Sequence, residues 1–154
     1  MRDYITLVES YDPIEALITG AEFTEQEEDS ATSGYCGTFA IALQRVLAAH
    51  SIPSQLAVFV LKNKDGTLRY DKNGVPFWRH VAVKSGDFYY DVQGKQLEEW
   101  ISENYFWKNP HGWGVEMTTE AKLVPILKAT NDSHSLSYLA AWQKRLGDAT
   151  SDKT

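Results

Sequence analysis

Two short runs of residues around a tight turn constrain the fold of this chain most strongly. The segments 80–84 and 88–92 are rich in β-branched and aromatic residues, and a glycine lies in the turn between them. A two-residue loop at Ser85-Gly86 would pair His80 directly with Asp91. This register also gathers apolar side chains on one face of the hairpin, namely Val81, Val83, Phe88 and Tyr90. We therefore predict an antiparallel hairpin whose other face carries the histidine and the carboxylate.

The length of the hairpin loop decides how closely His80 and Asp91 approach each other. Directly opposite residues on one sheet face have Cβ atoms about 4.5–5.5 Å apart, so a carboxylate there can orient an imidazole. A loop at Gly86-Asp87 would leave the pair diagonal on the same face, whereas a regular three-residue loop would put the two side chains on opposite faces.

Apolar periodicity predicts helices on both sides of this hairpin in the chain. The segment from Cys36 to His50 has apolar residues at i, i+4, i+7 and i+8, which is typical of a helix with one buried face. The run 55–61 is apolar and rich in β-formers, so we expect a central strand. Further helices are expected within 2–19, 97–105 and 134–146. The predicted fold class is α+β, with helices packed on an antiparallel sheet.

The length and composition fit one globular domain. The chain has 154 residues, of which 43% are hydrophobic and 23% charged. We expect a single domain over residues 1–147 and a frayed polar tail over 148–154. The acidic run between Glu22 and Asp29 is expected to be a solvated loop, with a lid or a recognition surface for a basic substrate as the alternative. The segment 106–114 is aromatic and turn-rich, and can supply a binding loop.

Charge and hydropathy disfavour several partners. The formal net charge is −6 and no dense Lys/Arg patch is present, so we expect no nucleic-acid partner. No apolar stretch is long enough to cross a bilayer. The first residues lack the apolar core of a secretory signal, and a lone cysteine agrees with a reducing compartment. We therefore expect a cytoplasmic protein with no membrane partner.

Cys36 is the only cysteine of the chain, and it lies at the start of the predicted helix. A helix N-terminus and a nearby imidazolium both favour the thiolate form of a cysteine. No Asp or Glu occurs between Cys36 and His50 to oppose that charge. His80 can take the thiol proton and return it to a leaving group, while Asp91 fixes the tautomer of the ring. Backbone N–H groups near Cys36 and Gly37 can stabilise an oxyanion.

Each of these residues also has a purely structural interpretation. Cys36 lies near the apolar stripe of its helix, where a lone cysteine is often a small core residue. His80 can be an ordinary edge-strand histidine, and Asp91 a carboxylate at a strand end or turn. The joint arrangement favours the catalytic interpretation. No paired spacing of cysteines and histidines indicates a metal site.

The order and context of the three residues resemble those of the papain-like and transglutaminase-like superfamily of thiol enzymes. The likeness is carried by Gly34-Tyr35-Cys36-Gly37, by His80-Val81-Ala82-Val83 and by Tyr90-Asp91-Val92-Gln93-Gly94, within residues 33–94. The same segment is similar to the core of arylamine acetyltransferases. The resemblance implies that Cys36 is the nucleophile, His80 the acid and base, and Asp91 the orienting group. It also implies that the nucleophile begins a helix packed on the sheet.

One departure from the papain-type pattern concerns the oxyanion hole. Papain-type proteases have a glutamine shortly before the cysteine, whereas Gln26 precedes Cys36 by ten positions.

We expect cysteine-dependent acyl chemistry on a peptide, isopeptide or side-chain amide, through a thioester intermediate. Hydrolysis by a protease-like or amidase-like enzyme is the first choice. Transglutamination, deamidation and acyl transfer by the same three groups are alternatives, as is an inactive binding or inhibitory module on the same fold. Tyr35, Gly37 and Trp78 are the expected substrate-binding residues. We expect a peptide or protein substrate and neither a cofactor nor a metal.

Overall fold

The computed structural model describes residues 12–105 and 111–151, and these form an α+β fold of six helices and a five-stranded antiparallel sheet. The helices are α1 (Pro13–Gly20), α2 (Glu25–Ser33), α3 (Cys36–Ala49), α4 (Glu98–Tyr105), α5 (Glu120–Ala129) and α6 (Leu136–Ser151). The strands are β1 (Gln55–Leu61), β2 (Trp78–Ser85), β3 (Phe88–Asp91), β4 (Gly94–Gln96) and β5 (Trp113–Thr118). The predicted class is confirmed at this level.

The sheet has the order β4-β3-β2-β1-β5, and each neighbouring pair of strands is antiparallel. The strands β1, β2 and β3 follow one another both in the chain and in the sheet, and α3 directly precedes them. Because β1 lies between two partners, the residues from Leu56 to Val60 are fully buried.

Both faces of the sheet are covered. One face packs against α3 and carries Val58, Val81 and Val83 in the larger core cluster. The opposite face carries a smaller cluster that includes Ala82 and Tyr89 and reaches α4. Helix α3 is buried over most of its circumference because α6 contributes Trp142 and other side chains to its far side.

The hairpin register differs from the predicted one. Val83 pairs with Tyr90 and Ser85 pairs with Phe88, so the two-residue loop is Gly86-Asp87 and not Ser85-Gly86. Gly86 takes a positive φ of 61° at the first loop position, a conformation that glycine adopts without strain. Each side chain keeps its predicted face, because the new register moves partners by two positions.

The acidic segment is a helix and not the predicted loop. Thr24 caps α2: its side-chain oxygen accepts a hydrogen bond from the backbone of Glu27 at 3.1 Å, and the Glu27 carboxylate accepts one from the backbone of Thr24 at 2.9 Å. This reciprocal pair satisfies two backbone donors of the first turn. Glu27 also accepts a hydrogen bond from Arg145 of α6 at 2.9 Å.

The C-terminal part of the chain holds more regular structure than predicted. Strand β5 and helix α5 lie in a region to which the sequence assigned neither. Helix α6 continues past Gly147 to Ser151, and Ala149 is buried in the core. The remainder of the predicted tail, the segment 106–110 and the N-terminal part of the 2–19 prediction fall outside the described residues. Of the helices described, none has the length and apolar character needed to cross a membrane.

Candidate functional site

Cys36 is the first residue of α3 and lines a cleft of about 540 Å³. The thiol residue is only 3% exposed. Tyr35 occupies the N-cap position without a side-chain cap, so no side chain caps the first backbone N–H groups of the helix. The positive end of the helix is therefore directed at the part of the cleft where Cys36 lies.

His80 and Asp91 form a buried pair behind the thiol. The Nε2 atom of His80 lies 3.0 Å from Oδ2 of Asp91, and their residues are 0% and 3% exposed. The other carboxylate oxygen accepts hydrogen bonds from the backbone N–H of Gln93 at 2.9 Å and from the side-chain amide of Gln96 at 3.4 Å. The carboxylate is thus held in one orientation, even though the observed register makes the pair diagonal.

The second ring nitrogen of His80, Nδ1, is not engaged by Asp91. Burial alone would lower the pKa of His80, but the hydrogen bond with Asp91 and the interaction with Cys36 raise it to about 9. The buried Nδ1 atom makes no well-formed hydrogen bond. We conclude that the thiol lies within interaction range of the ring without a well-aligned bond to it. The arrangement leaves Nδ1 free to accept a proton while Nε2 is held by Asp91.

A β-bulge lies immediately before His80. Phe59 of β1 pairs with His80, but the next residue, Val60, pairs with Trp78, which leaves Arg79 as the extra residue of β2. Both Trp78 and Arg79 line the cleft. Bulges redirect side chains in this way next to active sites. The sequence analysis did not predict the bulge, because it depends on how β2 pairs with β1.

Tyr105 at the end of α4 lies flat against the His80 ring. The ring centroids are 4.1 Å apart and the planes differ by 15°. Burial, with the nearby charges of Asp91 and Cys36, raises the pKa of the Tyr105 phenol. The sequence analysis did not assign Tyr105 to the site. The sequence feature that indicates its position is its spacing of four residues from Ile101. This spacing places both side chains on the helix face that covers the sheet.

Two of the three predicted substrate-binding residues line the cleft. Tyr35 does so and packs edge-on against Tyr138, with centroids 4.9 Å apart. Trp78 also lines it, and its indole N–H donates to the Thr130 hydroxyl at 3.0 Å.

Gly37 is not among the described residues that line the cleft. A Cβ added there would lie 2.6 Å from Leu127 of α5, so glycine permits the close packing of the two helices. Its predicted role as a backbone donor to an oxyanion stays a prediction. Gln26, the nearest upstream glutamine, is likewise absent from the lining.

The loop after α5 forms the opposite side of the cleft and is tied to α3. The buried Thr38 hydroxyl donates to the Ser133 carbonyl at 3.0 Å and accepts from the Ser135 backbone N–H at 3.2 Å. Asn131, which lines the cleft, has a positive φ of 53°. These bonds hold the loop against the same helix turn that carries Cys36. Within residues 12–105 and 111–151, no group of three His, Cys, Asp or Glu side chains is arranged to hold a metal ion.

Comparison with protein-family models, with curated proteins and with solved structures gives no match. The functional argument therefore depends on the residues of the site and their geometry.

Proposed function

We propose that this protein is a cysteine-dependent acyl enzyme in which Cys36, His80 and Asp91 act together. One observation carries the proposal. A cysteine at an uncapped helix N-terminus lines a cleft beside a histidine whose far nitrogen is bonded to a buried carboxylate. Thiol catalysis requires a nucleophile, a base that takes its proton, and a group that orients the base.

The proposed reaction begins from an ion pair, in which the proton of the Cys36 thiol already lies on Nδ1 of His80. The thiolate sulfur then forms a bond to the carbonyl carbon of the amide, and the backbone N–H groups at the start of α3 stabilise the oxyanion. His80 returns the proton to the amine nitrogen as the carbon–nitrogen bond breaks, leaving a thioester. Water, deprotonated by His80, releases the acid and regenerates the thiol.

The papain-like and transglutaminase-like resemblance implies a cysteine at the start of a helix and a later histidine and aspartate on adjacent strands. Cys36 begins the helix, His80 lies on β2 and Asp91 ends β3. We therefore propose membership of that superfamily, with hydrolysis of a peptide or isopeptide as the first choice. Transglutamination, deamidation and acyl transfer use the same thioester and differ in which nucleophile resolves it. A free catalytic thiol suits a reducing compartment, so we propose a cytoplasmic location.

A second candidate, an inactive binding or inhibitory module, is favoured by the burial of the site. Cys36 is 3% exposed, and His80 is completely buried beneath Tyr105. A module of this kind needs no access to the thiol. The two candidates therefore differ in whether an acyl donor can reach Cys36 in the folded protein.

Intact-mass analysis of the native protein with a panel of peptide thioesters and activated esters tests the proposal. We expect the mass of one acyl group on Cys36, removal of that mass by hydroxylamine, and no adduct in Cys36→Ala. His80→Asn should slow adduct formation by about 100-fold, the lower range for loss of a general base. Labelling of Cys36 only after unfolding would support the inactive module instead.

A further inference from the structure

The charge of the cleft is unusual for this protein. The chain has 21 acidic and 15 basic residues, yet no carboxylate is found among the described residues that line the cleft. Arg79 is the only Lys, Arg, Asp or Glu among the described lining residues. Glu103 and Asp132 adjoin lining residues in the chain but are themselves exposed outside the cleft.

Among the described residues, Arg79 also has no partner, in contrast to other arginines of the protein. Arg45 forms an ion pair with Glu120, and Arg145 forms one with Glu27. Within the described parts of the chain, the guanidinium of Arg79 has neither an ion pair nor a hydrogen bond. The β-bulge makes it the extra residue next to His80. A planar guanidinium with all its donors free is suited to bidentate binding of a carboxylate.

Other groups in the cleft add to the preference for an anion. The uncapped N-terminus of α3 contributes partial positive charge beside Cys36. The side chains of Asn104 and Asn131 also line the cleft and can donate hydrogen bonds.

We propose that the acyl donor of this enzyme carries a carboxylate close to the scissile bond and that Arg79 binds it. This inference rests on the function proposed above and names its substrate class. Because Arg79 and Cys36 line the same cleft, a single bound donor can place a carboxylate at the guanidinium and a carbonyl at the thiol. The carboxylate belongs either to an acidic side chain or to a terminal group of the donor.

Three peptide vinyl sulfones test the inference. In the first, the residue next to the vinyl group is aspartate; in the second, it is asparagine; the third has a glycine there and a terminal succinyl carboxylate. The Cys36 sulfur adds to the vinyl carbon β to the sulfone, which is the carbon joined to that residue. The imidazolium returns the proton to the carbon that carries the sulfone, so no leaving group is needed. Intact mass gives the second-order rate constant of labelling for each probe.

We expect the aspartate or the succinyl probe to label the native protein about tenfold faster than the asparagine probe, the factor for about 1.4 kcal/mol. The faster of the two identifies the source of the carboxylate. Arg79→Gln should abolish this preference, so that the carboxylate probes and the asparagine probe label Cys36 at the same rate. Arg79→Lys should keep part of the preference, because it keeps the charge without the bidentate geometry. Lys72→Gln, which removes an exposed cation outside the cleft, should leave it intact.

Equal rates with all three probes, with labelling still dependent on His80, would overturn the inference while the proposed function stands. Absence of labelling by every probe would instead count against the proposed function. In that case, calorimetry on Cys36→Ala measures whether the cleft still prefers a carboxylate. The ligands are acetyl-peptide amides, which do not react with the protein. Preferential binding of the aspartate peptide, lost in Cys36→Ala/Arg79→Gln, would support the anion site, and equal binding of the aspartate and asparagine peptides would overturn it.

Discussion

The phenol ring of Tyr105 is stacked on the imidazole of His80, with centroids 4.1 Å apart and planes within 15° of parallel. A protonated imidazole above an aromatic face gains about 0.5–2 kcal/mol, so the stack favours the charged form of His80. Tyr105→Leu should therefore lower the pKa of His80 by about 0.5 units or more, whereas Tyr105→Phe should leave it close to that of the unmodified protein. Titration of the His80 ring by NMR measures its pKa in both variants. An unchanged pKa in Tyr105→Leu would show that the stack is packing alone.

The pair formed by His80 and Asp91 predicts a pH dependence with a definite sign. The pKa of His80 is raised from 6.5 to about 9, so the imidazolium persists at neutral pH. Its stabilising contribution is complete below about pH 6.5 and is lost as the pH rises through about 9. Asp91→Asn should lower this pKa by about one unit or more, because it removes the carboxylate charge. The chain has only four histidines, so the His80 signal can be assigned by its absence in His80→Asn.

Gly37→Ala should destabilise the protein through Leu127. An added Cβ would lie 2.6 Å from Cδ2 of Leu127, which is completely buried and has little room to move. We expect a loss of about 1–3 kcal/mol from overpacking, reduced by the better helix propensity of alanine. Urea unfolding of the two proteins measures this loss of unfolding free energy. In Gly37→Ala/Leu127→Ala the combined loss should be smaller than the sum of the single losses, and strict additivity would contradict the clash.

Asp12 provides a second pH test, remote from the proposed chemistry. It caps α1, accepts a hydrogen bond from the Tyr90 hydroxyl at 2.6 Å and lies 3.3 Å from the Lys95 ammonium. Burial opposes ionisation, but these partners together lower the pKa of Asp12. Asp12→Asn should cost about 1–2 kcal/mol at pH 7.

The difference in unfolding free energy between the unmodified protein and Asp12→Asn should follow the charge of that carboxylate. A lowered folded-state pKa stabilises the fold above about pH 4, and this contribution disappears as the pH falls through the folded-state value. A difference that stays constant from pH 7 to pH 3 would contradict the assigned interactions. Tyr90→Phe, which removes one donor, serves as the matched control.

The sequence predicted the elements whose signals are local. The helical spacing of the apolar residues Phe39, Leu43 and Leu47 predicted α3. The alternation of apolar and polar residues on both sides of Gly86 predicted the sheet face of each hairpin residue. The register was wrong because a glycine fits either of two adjacent loop choices, and the position of Gly86 at φ 61° decides between them. Helix α2 had a signal that was not used, since Thr24 and Glu27 have the spacing of a capping box.

The missed features depend on contacts that are distant in the chain. Strand β5 pairs with β1 across more than fifty residues, and its glycine and aromatic residues resemble a turn-rich segment. Helix α5 contains Pro125, which argues against a helix in sequence reasoning. The bulge at Arg79 and the stack of Tyr105 on His80 likewise arise from pairing and packing. The spacing of Tyr105 from Ile101 indicates the helix face on which it lies, but not the ring that it contacts.

The rate of Cys36 alkylation by iodoacetamide as a function of pH tests the central claim most directly, because the chain has one cysteine. The account predicts that the folded protein reacts at pH 6 within about threefold of its rate at pH 8, since His80 maintains the thiolate. In His80→Asn the rate should instead fall about tenfold per pH unit over that range, as for an ordinary thiol. A thiol that reacts only after unfolding, or at the same rate with and without His80, would contradict the account.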